Sequence, residues 1–492
     1  MKMDFLDPKK KRRHAIQLLV GYALIAIALV LATILLLAAA LGYGINRSTG
    51  EVTQNGLLFV DAHPEQATIY INGQNKGPTD GRFVLETGAY TLDLKRDGYR
   101  SWHRDFVIEG SKIVRLVYPF LFPSNLVTSD ILPQASAPDM VTESPDRHWV
   151  IVHNPADMKT FQVVDTSAKT PAATAVSVPA TVFPAHANSK LELVEWSTNN
   201  KNALLKYTYD GGYDYVIFDR DTPANTANLT QTLGRGYTSM TLRDKRADEV
   251  YAYDANGGVL QAISLKDKSA TAIASHVLSF WPYKSDTIIY ATDQKATAGK
   301  VNVYLREGQN DYLLRELATG PKYLMNIAEF DGDTYLAVGS TGDGKEYIYK
   351  NPLTPLKKND STHNIPLLLL RLDNPDTVTF SANTRFIALQ AGSKFEVYDA
   401  ETEQQYKYDT HLPLDPGEKT AWMDGHRLTL VSGGKLHVFD YDNQNTQTLT
   451  NASPAFSPLF DRDYEFMYTF GPTNADVAKS ALSRTELKIV KK

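Results

Sequence analysis

A sequence repeat occupies most of the chain after residue 140. Each copy begins with an apolar or aromatic residue, continues through polar turn residues and ends in a run of strand-forming residues. The starts of the eight copies are separated by 38 to 53 residues. The copies are ESPDRHWVIV from Glu143, WSTNNKNALLKY from Trp196, LRDKRADEVYAY from Leu242, WPYKSDTIIYA from Trp281, FDGDTYLAVGS from Phe330, FSANTRFIALQ from Phe380, WMDGHRLTLVS from Trp422 and FDRDYEFMYTF from Phe460.

A second segment follows most copies and consists of an apolar strand that ends in Asp. Examples are FQVVDTSAKT, YVIFDRDT, FEVYDAET and LHVFDYDNQNT. An Asp at a strand end can close a turn by accepting a hydrogen bond from the backbone two residues further on. Strand repeats with a period of about 40 to 50 residues are typical of a β-propeller, in which four-stranded blades surround an axis. Residues 140–492 are therefore predicted to form a propeller, with eight blades favoured and seven as the alternative.

The ends of the repeat region suggest how the ring closes. The last copy runs into TELKIVKK without an obvious fourth strand, so residues near Leu126–Leu132 are expected to complete it. The aromatic residues that begin the copies are expected to pack between blades, namely Trp196, Trp281, Phe330, Phe380, Trp422 and Phe460. The pattern resembles bacterial propellers of the YVTN and Tol-associated kinds, which implies binding of proteins, sugars or peptides and, in some members, catalysis.

An uncharged apolar run near the N-terminus predicts a membrane anchor. Five consecutive basic residues, Lys9 to Arg13, precede the run from Ala15 to Ile45. A bilayer core needs about 20 apolar residues in a helix, and this run is longer. We therefore predict a transmembrane helix over residues 15–45, with the basic tail of residues 1–14 in the cytoplasm. A cleaved signal sequence, with LAAALG as its cleavage site, is the alternative.

Charge and cysteine content narrow the possible functions. Beyond the basic tail the chain carries 45 basic and 54 acidic residues, so it lacks the basic footprint of a nucleic-acid-binding protein. The chain has no cysteine, which excludes disulfides, thiolate metal sites and cysteine nucleophiles.

Residues 55–119 are predicted to form a small β-sandwich. Short strands alternate with turn signals in GLLFVDA, ATIYI, RFVLET, AYTLDLKR, RDFVIEG and KIVRLVY. Asn72-Gly73 predicts a tight hairpin, because both residues tolerate positive φ. Residues 120–139, which contain PFLFPSNL and PQASAP, are predicted to be an irregular linker.

This block resembles the PEGA domain, which implies display outside the cytoplasm and brings no catalytic residues. The matching positions are Pro64, Glu65, Gln66, Ala67, Asn72, Gly73, Gly77, Gly88, Tyr90, Gly98 and Tyr99. Gln66 replaces the glycine of the family motif, and Pro78-Thr79 replaces the usual Thr-Pro. Because Gln favours ordinary φ, we expect the turn at Gln66 to differ from that of the family.

No catalytic or cofactor-binding residue can be assigned from the sequence, and no cofactor is expected. GSTGDGKE, from Gly339 to Glu346, approaches a phosphate-binding loop, but Glu346 replaces the required Ser or Thr, and a hairpin tip is expected. Acidic pairs such as Asp461/Asp463 lack EF-hand spacing, so they are expected to serve turns, with a loop Ca²⁺ site left open. Whether the protein binds a metal ion is therefore unknown from the sequence.

Two functions remain open. The favoured one is a single-pass cell-envelope protein that displays a β-propeller outside the cytoplasmic membrane as a protein-binding, glycan-binding or scaffold module. The alternative is a membrane-tethered propeller enzyme, a lyase or hydrolase acting on envelope sugars or peptides, because a site built from several blades leaves no local motif. The partner, the oligomeric state and the blade number are left open.

Overall fold

A computed structural model describes residues 8–40, 42–45, 52–358, 365–415, 418, 420–473, 476 and 479–489. The chain divides into two compact units, Met1–Asn125 and Leu126–Lys492, and each is described separately. Residues 1–7 of the predicted cytoplasmic tail lie outside the described residues.

One long helix, α1 (Pro8–Ala40), begins the N-terminal unit. Its segment Arg12–Ala40 has 29 residues, and the most apolar 18-residue stretch within it has a mean hydropathy of 2.9 and is not buried. The predicted bounds of 15–45 need correction at both ends. Pro8 suits the first turn of a helix, where its missing N–H is not needed. Gly42 has a φ of +79°, which ends the helix, and Tyr43–Ile45 is a strand.

Two four-stranded sheets follow α1 in the N-terminal unit. Their strands are β1 (Tyr43–Ile45), β2 (Val52–Val60), β3 (Thr68–Ile71), β4 (Gln74–Pro78), β5 (Gly81–Glu86), β6 (Gly88–Lys95), β7 (Trp102–Ile108) and β8 (Ile113–Leu116). The first N-terminal sheet has the order β1-β2-β5, with β8 parallel to β2, and the second has the order β4-β3-β6-β7. Leu58 and Val60 of the first sheet pack with Ile69, Leu92 and Trp102 of the second, so the two sheets share one core.

The turn at Gln66 departs from the expectation drawn from its sequence. Gln66 has a φ of +65°, so it keeps the left-handed conformation that a glycine would adopt there. That conformation costs a non-glycine residue about 1 kcal/mol, which the surrounding contacts offset. The carbonyl of Glu65 accepts a hydrogen bond from Arg96, and the N–H of Ala67 donates to the Thr79 hydroxyl at 3.1 Å. The turn is therefore held from both sides, with Gln66 in a left-handed conformation.

The C-terminal unit begins with β9 (Thr128–Gln134) and continues as a series of antiparallel sheets. Sheet 1 contains β10 (Met140–Glu143), β11 (Trp149–His153), β12 (Thr160–Asp165) and β13 (Ala173–Ser177); sheet 2 contains β14 (Lys190–Trp196), β15 (Asn202–Tyr209), β16 (Gly212–Asp219) and β17 (Ala227–Asn228); sheet 3 contains β18 (Ser239–Leu242), β19 (Glu249–Asp254), β20 (Val259–Ser264) and β21 (Ala270–Ala274); sheet 4 contains β22 (Val277–Tyr283), β23 (Thr287–Thr292), β24 (Lys300–Glu307) and β25 (Asn310–Ala318).

Four further sheets complete the unit. Sheet 5 contains β26 (Tyr323–Phe330), β27 (Asp333–Ser340), β28 (Lys345–Lys350) and β29 (Leu368–Arg371); sheet 6 contains β30 (Thr377–Phe380), β31 (Phe386–Ala391), β32 (Lys394–Asp399) and β33 (Gln404–Asp409); sheet 7 contains β34 (Ala421–Trp422), β35 (Arg427–Ser432), β36 (Lys435–Asp440) and β37 (Gln447–Asn451); sheet 8 contains β38 (Leu459–Phe460), β39 (Phe466–Pro472), β40 (Ser480–Glu486) and β9. Two short helices, α2 (Leu229–Leu233) and α3 (Leu353–Lys357), lie in the connections.

The outermost strand of sheet 8 comes from the start of the unit. β9 pairs antiparallel with β40, for example Leu482 with Leu132. β9 lies inside residues 120–139, so part of the predicted linker is a strand, as expected for residues near Leu126–Leu132. Pro133 is tolerated because an outermost strand has one edge without a hydrogen-bonded neighbour, and a missing N–H costs nothing there.

Each sheet of the C-terminal unit packs against the next along the chain. Phe161 and Phe218, for example, stack at 4.3 Å between sheets 1 and 2, and Phe386 and Tyr441 at 4.1 Å between sheets 6 and 7. Sheet 8 in turn packs on sheet 1, where Tyr468 and Leu482 contact Val150. The chain is thus mainly β, with a propeller-like arrangement of its C-terminal sheets.

Candidate functional site

The turns that join the first and second strands of the eight sheets form a continuous collar. Each turn, or the strand end beside it, contacts its neighbour. The contacts are Asp146 N to Asn200 Oδ1 (3.1 Å), Ser197 Oγ to Lys245 O (2.7 Å), Arg243 Nη2 to Asp286 Oδ1 (2.8 Å), Lys284 Nζ to Glu329 Oε1 (2.6 Å), Thr384 Oγ1 to Glu329 O, Ala382 N to Asp424 O (3.4 Å), Tyr464 Oη to Met423 O (3.1 Å) and the Arg147 guanidinium over the Tyr464 ring (4.6 Å). The collar therefore connects all eight sheets and returns from the eighth to the first.

Arg147 and Glu143 connect the collar where it passes from sheet 7 through sheet 8 to sheet 1. Arg147 Nη2 donates to the Met423 carbonyl at 3.2 Å, which the Tyr464 hydroxyl also contacts. Glu143 accepts a hydrogen bond from the Phe460 N–H at 3.1 Å. Burial raises the pKa of Glu143 to about 7, against the opposing effect of the Arg147 cation. These groups bind one another across sheets 7, 8 and 1.

A cleft of about 720 Å³ opens between sheets 3 and 4. Ile263, Ile273 and Ile288 contribute apolar surface to it, and Thr271 and Ser269 contribute hydroxyl groups. One wall is β21, the outermost strand of sheet 3, whose outer edge pairs with no strand in the part of the chain that the structure describes. Such an edge offers backbone N–H and C=O groups to an incoming extended chain.

The charges around the cleft are balanced. Arg243 lies 2.8 Å from Asp286 and 3.1 Å from Glu249, and Arg306 lies 2.8 Å from Asp311. Since each cation has an anionic partner, the cleft does not select strongly for ligand charge. Apolar surface with hydroxyls and a free strand edge suits an extended peptide or a sugar chain.

Glu346 is a buried carboxyl group in sheet 5. Its cross-strand neighbours are Gly339 and Leu370, and within the described chain neither of its carboxyl oxygens has a hydrogen-bond partner. Burial raises the pKa of Glu346 well above its usual value. The segment that resembles a phosphate-binding loop is the hairpin between β27 and β28, with its turn at residues 341–344.

The repeat aromatics occupy different environments. Trp196 is buried, and its indole N–H donates to the Thr142 hydroxyl of the preceding sheet at 3.0 Å; Trp422 repeats this contact with Thr379 at 3.0 Å. Phe330 and Phe380 pack between sheets 5 and 6, and Phe460 is buried in sheet 8. Trp281 departs from the expected interblade packing, because its side chain is 43% exposed.

The residues of the PEGA motif serve turns and the core of the N-terminal unit. Asn72 and Gly73 have φ values of +48° and +75°, as the β3–β4 hairpin requires. Gly77 and Gly98 also have positive φ, Ala67 and Tyr99 are buried, and Tyr90 stacks with Phe106 at 5.8 Å. Gly88 opens β6, and Pro64 and Glu65 belong to the turn at Gln66 described above.

The acidic residues at strand ends close turns. Asp165 Oδ1 accepts from the Ser167 N–H at 2.9 Å and Asp399 Oδ1 from the Glu401 N–H at 2.9 Å. Asp461 Oδ1 accepts from the Phe466 N–H at 2.8 Å. In the ranges that the structure describes, no three His, Asp or Glu side chains are grouped so that they could hold a metal ion.

The cleft was missed by sequence reasoning. In three copies of the repeat the second residue is a Ser or Asp that closes the turn, as Ser144 does by accepting from the Trp149 N–H at 3.0 Å and Asp461 does for Phe466. The third copy carries Arg243 at this position, and that side chain crosses to sheet 4 instead. The same position also departs from Ser or Asp at Pro282 and Met423, so the repeat pattern alone does not single out the cleft.

Comparison with known proteins identifies one domain in the chain. Residues 55–120 match the PEGA domain. No curated protein matches the chain. One similar solved structure is apo AztD from Citrobacter koseri, with 11% identity over 75% of this chain and 94% of that chain and a TM-score of 0.41. Another is oligogalacturonate lyase from Vibrio parahaemolyticus, with 9% identity over 74% of this chain and 99% of that chain and a TM-score of 0.39. A third is the Swd1 β-propeller domain from Myceliophteria thermophila, with 10% identity over 62% of this chain and 98% of that chain and a TM-score of 0.36.

These structural similarities are distant, with TM-scores below 0.5. The description of the C-terminal unit as propeller-like therefore depends on its own strand pairing and sheet packing. The resemblance to YVTN and Tol-associated propellers stays a prediction.

Proposed function

We propose that the protein is a single-pass cell-envelope protein that displays an eight-bladed β-propeller outside the cytoplasmic membrane and binds an envelope protein or glycan. The observation that carries this proposal is α1, whose segment of 29 residues contains an unburied apolar stretch long enough to span a bilayer and precedes a PEGA domain at residues 55–120. A helix of that length and hydropathy has no favourable place in water. The basic residues before it favour a cytoplasmic N-terminus.

The collar and the pairing of β9 with β40 support eight blades. Each of the eight sheets would be one blade, and β9 would join the two ends of the ring as the outermost strand of the eighth. Such closure leaves no sheet without a packing partner on either face. The cleft between sheets 3 and 4 is the binding surface that we assign to the partner.

The topology can be tested with single cysteines, because the natural chain has none. Ala255→Cys, at an exposed position in sheet 3, is expected to react with a membrane-impermeant maleimide on spheroplasts. Met3→Cys, before the anchor, is expected to react only after the membrane is permeabilised. Labelling of both residues on sealed spheroplasts, or loss of the N-terminal segment from the mature chain, would contradict the proposed anchor.

Partner binding can be tested with a photo-crosslinking amino acid. At Thr271, in the cleft wall, it is expected to give a crosslinked adduct in cells. The matched control is Thr174, because both threonines are exposed and lie in outermost strands with similar sequences, ATAIA and ATAVS. Adducts at Thr271 and not at Thr174 would support the cleft as the binding surface. Equal adducts at both positions, or none at either, would contradict it.

A further inference from the structure

We propose that the outer face of the first N-terminal sheet lies on the phospholipid headgroup layer of the membrane that α1 spans. This inference depends on the anchor proposed above and adds a second, surface contact with the same bilayer. The face is formed by Leu57, Phe59, Arg82, Val84, Ile113 and Arg115.

The face consists of two rows across neighbouring strands. Leu57 is the cross-strand partner of both Val84 and Ile113, and Phe59 is the partner of both Arg82 and Arg115. Cross-strand partners project from the same side of a sheet. The first row is therefore apolar and the second is an aromatic ring between two cations.

The apolar row is exposed, although the opposite side of the same strand is fully buried. Val84 is 68% exposed and Ile113 is 52% exposed, whereas Leu58 and Val60 are 0% exposed. A group of adjacent exposed apolar side chains on a sheet face is typical of a surface that contacts a membrane or another protein.

The cations of the second row are available to a phosphate. The guanidinium carbons of Arg82 and Arg115 each lie 5.6 Å from the centre of the Phe59 ring, on its two sides. Within the described residues neither guanidinium forms an ion pair. Arginine binds phosphate through paired N–H groups, and a phospholipid headgroup supplies that phosphate. On the same face, Glu86 lies one position beyond the apolar row and Asp61 one position beyond the row of Arg82 and Arg115.

The position of α1 identifies the membrane as the occupant of this face. A hollow of about 380 Å³ is lined by Ala39 and Ala40 of the last helical turn together with Leu57, Val84 and Ile113. The helix therefore leaves the membrane beside this face.

The outer face of the second N-terminal sheet differs in charge and provides a control. It carries Asp93 and Asp105, and His103 lies between them at 2.8 Å and 3.4 Å. Val107 on that face is 61% exposed, close to the exposure of Val84. The two valines thus differ mainly in the face that they occupy.

The test uses the full chain in proteoliposomes with an environment-sensitive fluorophore at one cysteine. For Val84→Cys we expect a blue-shifted emission and several-fold stronger quenching by lipids that carry a spin label near the headgroup than for Val107→Cys. Equal quenching at both positions, in protein that stays with the vesicles after alkaline extraction, would overturn the surface contact alone. Release of the protein by alkaline extraction would overturn the anchor.

The arginines are tested in the same assay. From the quenching at residue 84, the ratio of protein with this face on the membrane to protein with this face in water can be obtained. In vesicles containing anionic lipid, Arg82→Gln and Arg115→Gln are each expected to lower this docked-to-free ratio about fivefold, which corresponds to about 1 kcal/mol per basic residue at such a surface. Lys76→Gln, in the second sheet, is the matched control and should leave the ratio unchanged. If Lys76→Gln lowers it as much as the arginine variants do, general charge attraction would replace the proposed face.

Discussion

Replacement of Glu346 by glutamine is expected to raise the free energy of unfolding at neutral pH and to leave it nearly unchanged at about pH 4. Glu346 lies in a row across sheet 5 with Leu324, Gly339 and Leu370, and the two leucines belong to the core shared with sheet 6. A carboxylate in this apolar row, without a hydrogen-bond partner, is far less stable than the neutral acid. Glutamine keeps the shape and removes the charge.

The sign of the pH dependence follows from the raised pKa of Glu346. The stability of the natural protein is fully present below the unfolded pKa of about 4.3, and it falls as pH rises towards the folded pKa, because only the unfolded chain has lost the proton. The loss is about 1.4 kcal/mol for each pH unit in that range. Urea unfolding followed by tryptophan fluorescence at acidic and neutral pH would measure it.

Glu396 supplies the control, since it is a buried glutamate with partners. Its Oε2 accepts from the Arg371 N–H at 2.8 Å and lies 3.2 Å from Lys407 Nζ. Glu396→Gln is therefore expected to lower stability at neutral pH by about 1 kcal/mol, an amount limited by the exposed position of the lysine. If both variants shift the urea midpoint in the same direction, the difference between a paired and an unpaired carboxyl group is refuted.

The fold was predictable where local chemistry repeats. The hairpin at Asn72-Gly73 and the turns closed by Asp165 and Asp399 follow from side chains that bond the adjacent backbone or tolerate positive φ. Gln66 was not predictable, because contacts from Arg96 and Thr79 outweigh its own preference. A local sequence pattern therefore predicts the backbone preference of its own residues and not the effect of contacts from distant segments.

The candidate surfaces were harder to predict because their residues meet only in the folded chain. The cleft combines Arg243, Thr271 and Arg306 from two sheets, and no spacing in the sequence connects them. Glu346 did carry a signal. In the strand KEYIYK it alternates in phase with buried Ile348, so period-two reasoning would have placed a carboxyl group in the core.

A disulfide between β9 and β40 is expected to give the largest stabilisation. The hydroxyl oxygens of Thr128 and Thr485 are 2.9 Å apart across these strands, so Thr128→Cys with Thr485→Cys would bring two sulfur atoms within bonding reach. The bond closes a loop of 357 residues. Because longer loops lose more entropy in the unfolded chain, we expect about 5 to 6 kcal/mol.

The matched control for this disulfide is the corresponding pair of strands in sheet 1. Thr160 and Ser177 also place their hydroxyl oxygens 3.2 Å apart between the third and the outermost strand, and their loop has 17 residues. A bond there is expected to contribute about 3 kcal/mol. The difference in the free energy of unfolding between the oxidised and reduced forms of each variant, measured by urea unfolding, isolates the contribution of the bond itself.

If β9 does not pair with β40, the two thiols at 128 and 485 stay reduced under conditions that oxidise the control pair. A disulfide that forms and stabilises more than the control requires that the first and last strands of the C-terminal unit be neighbours in the native protein.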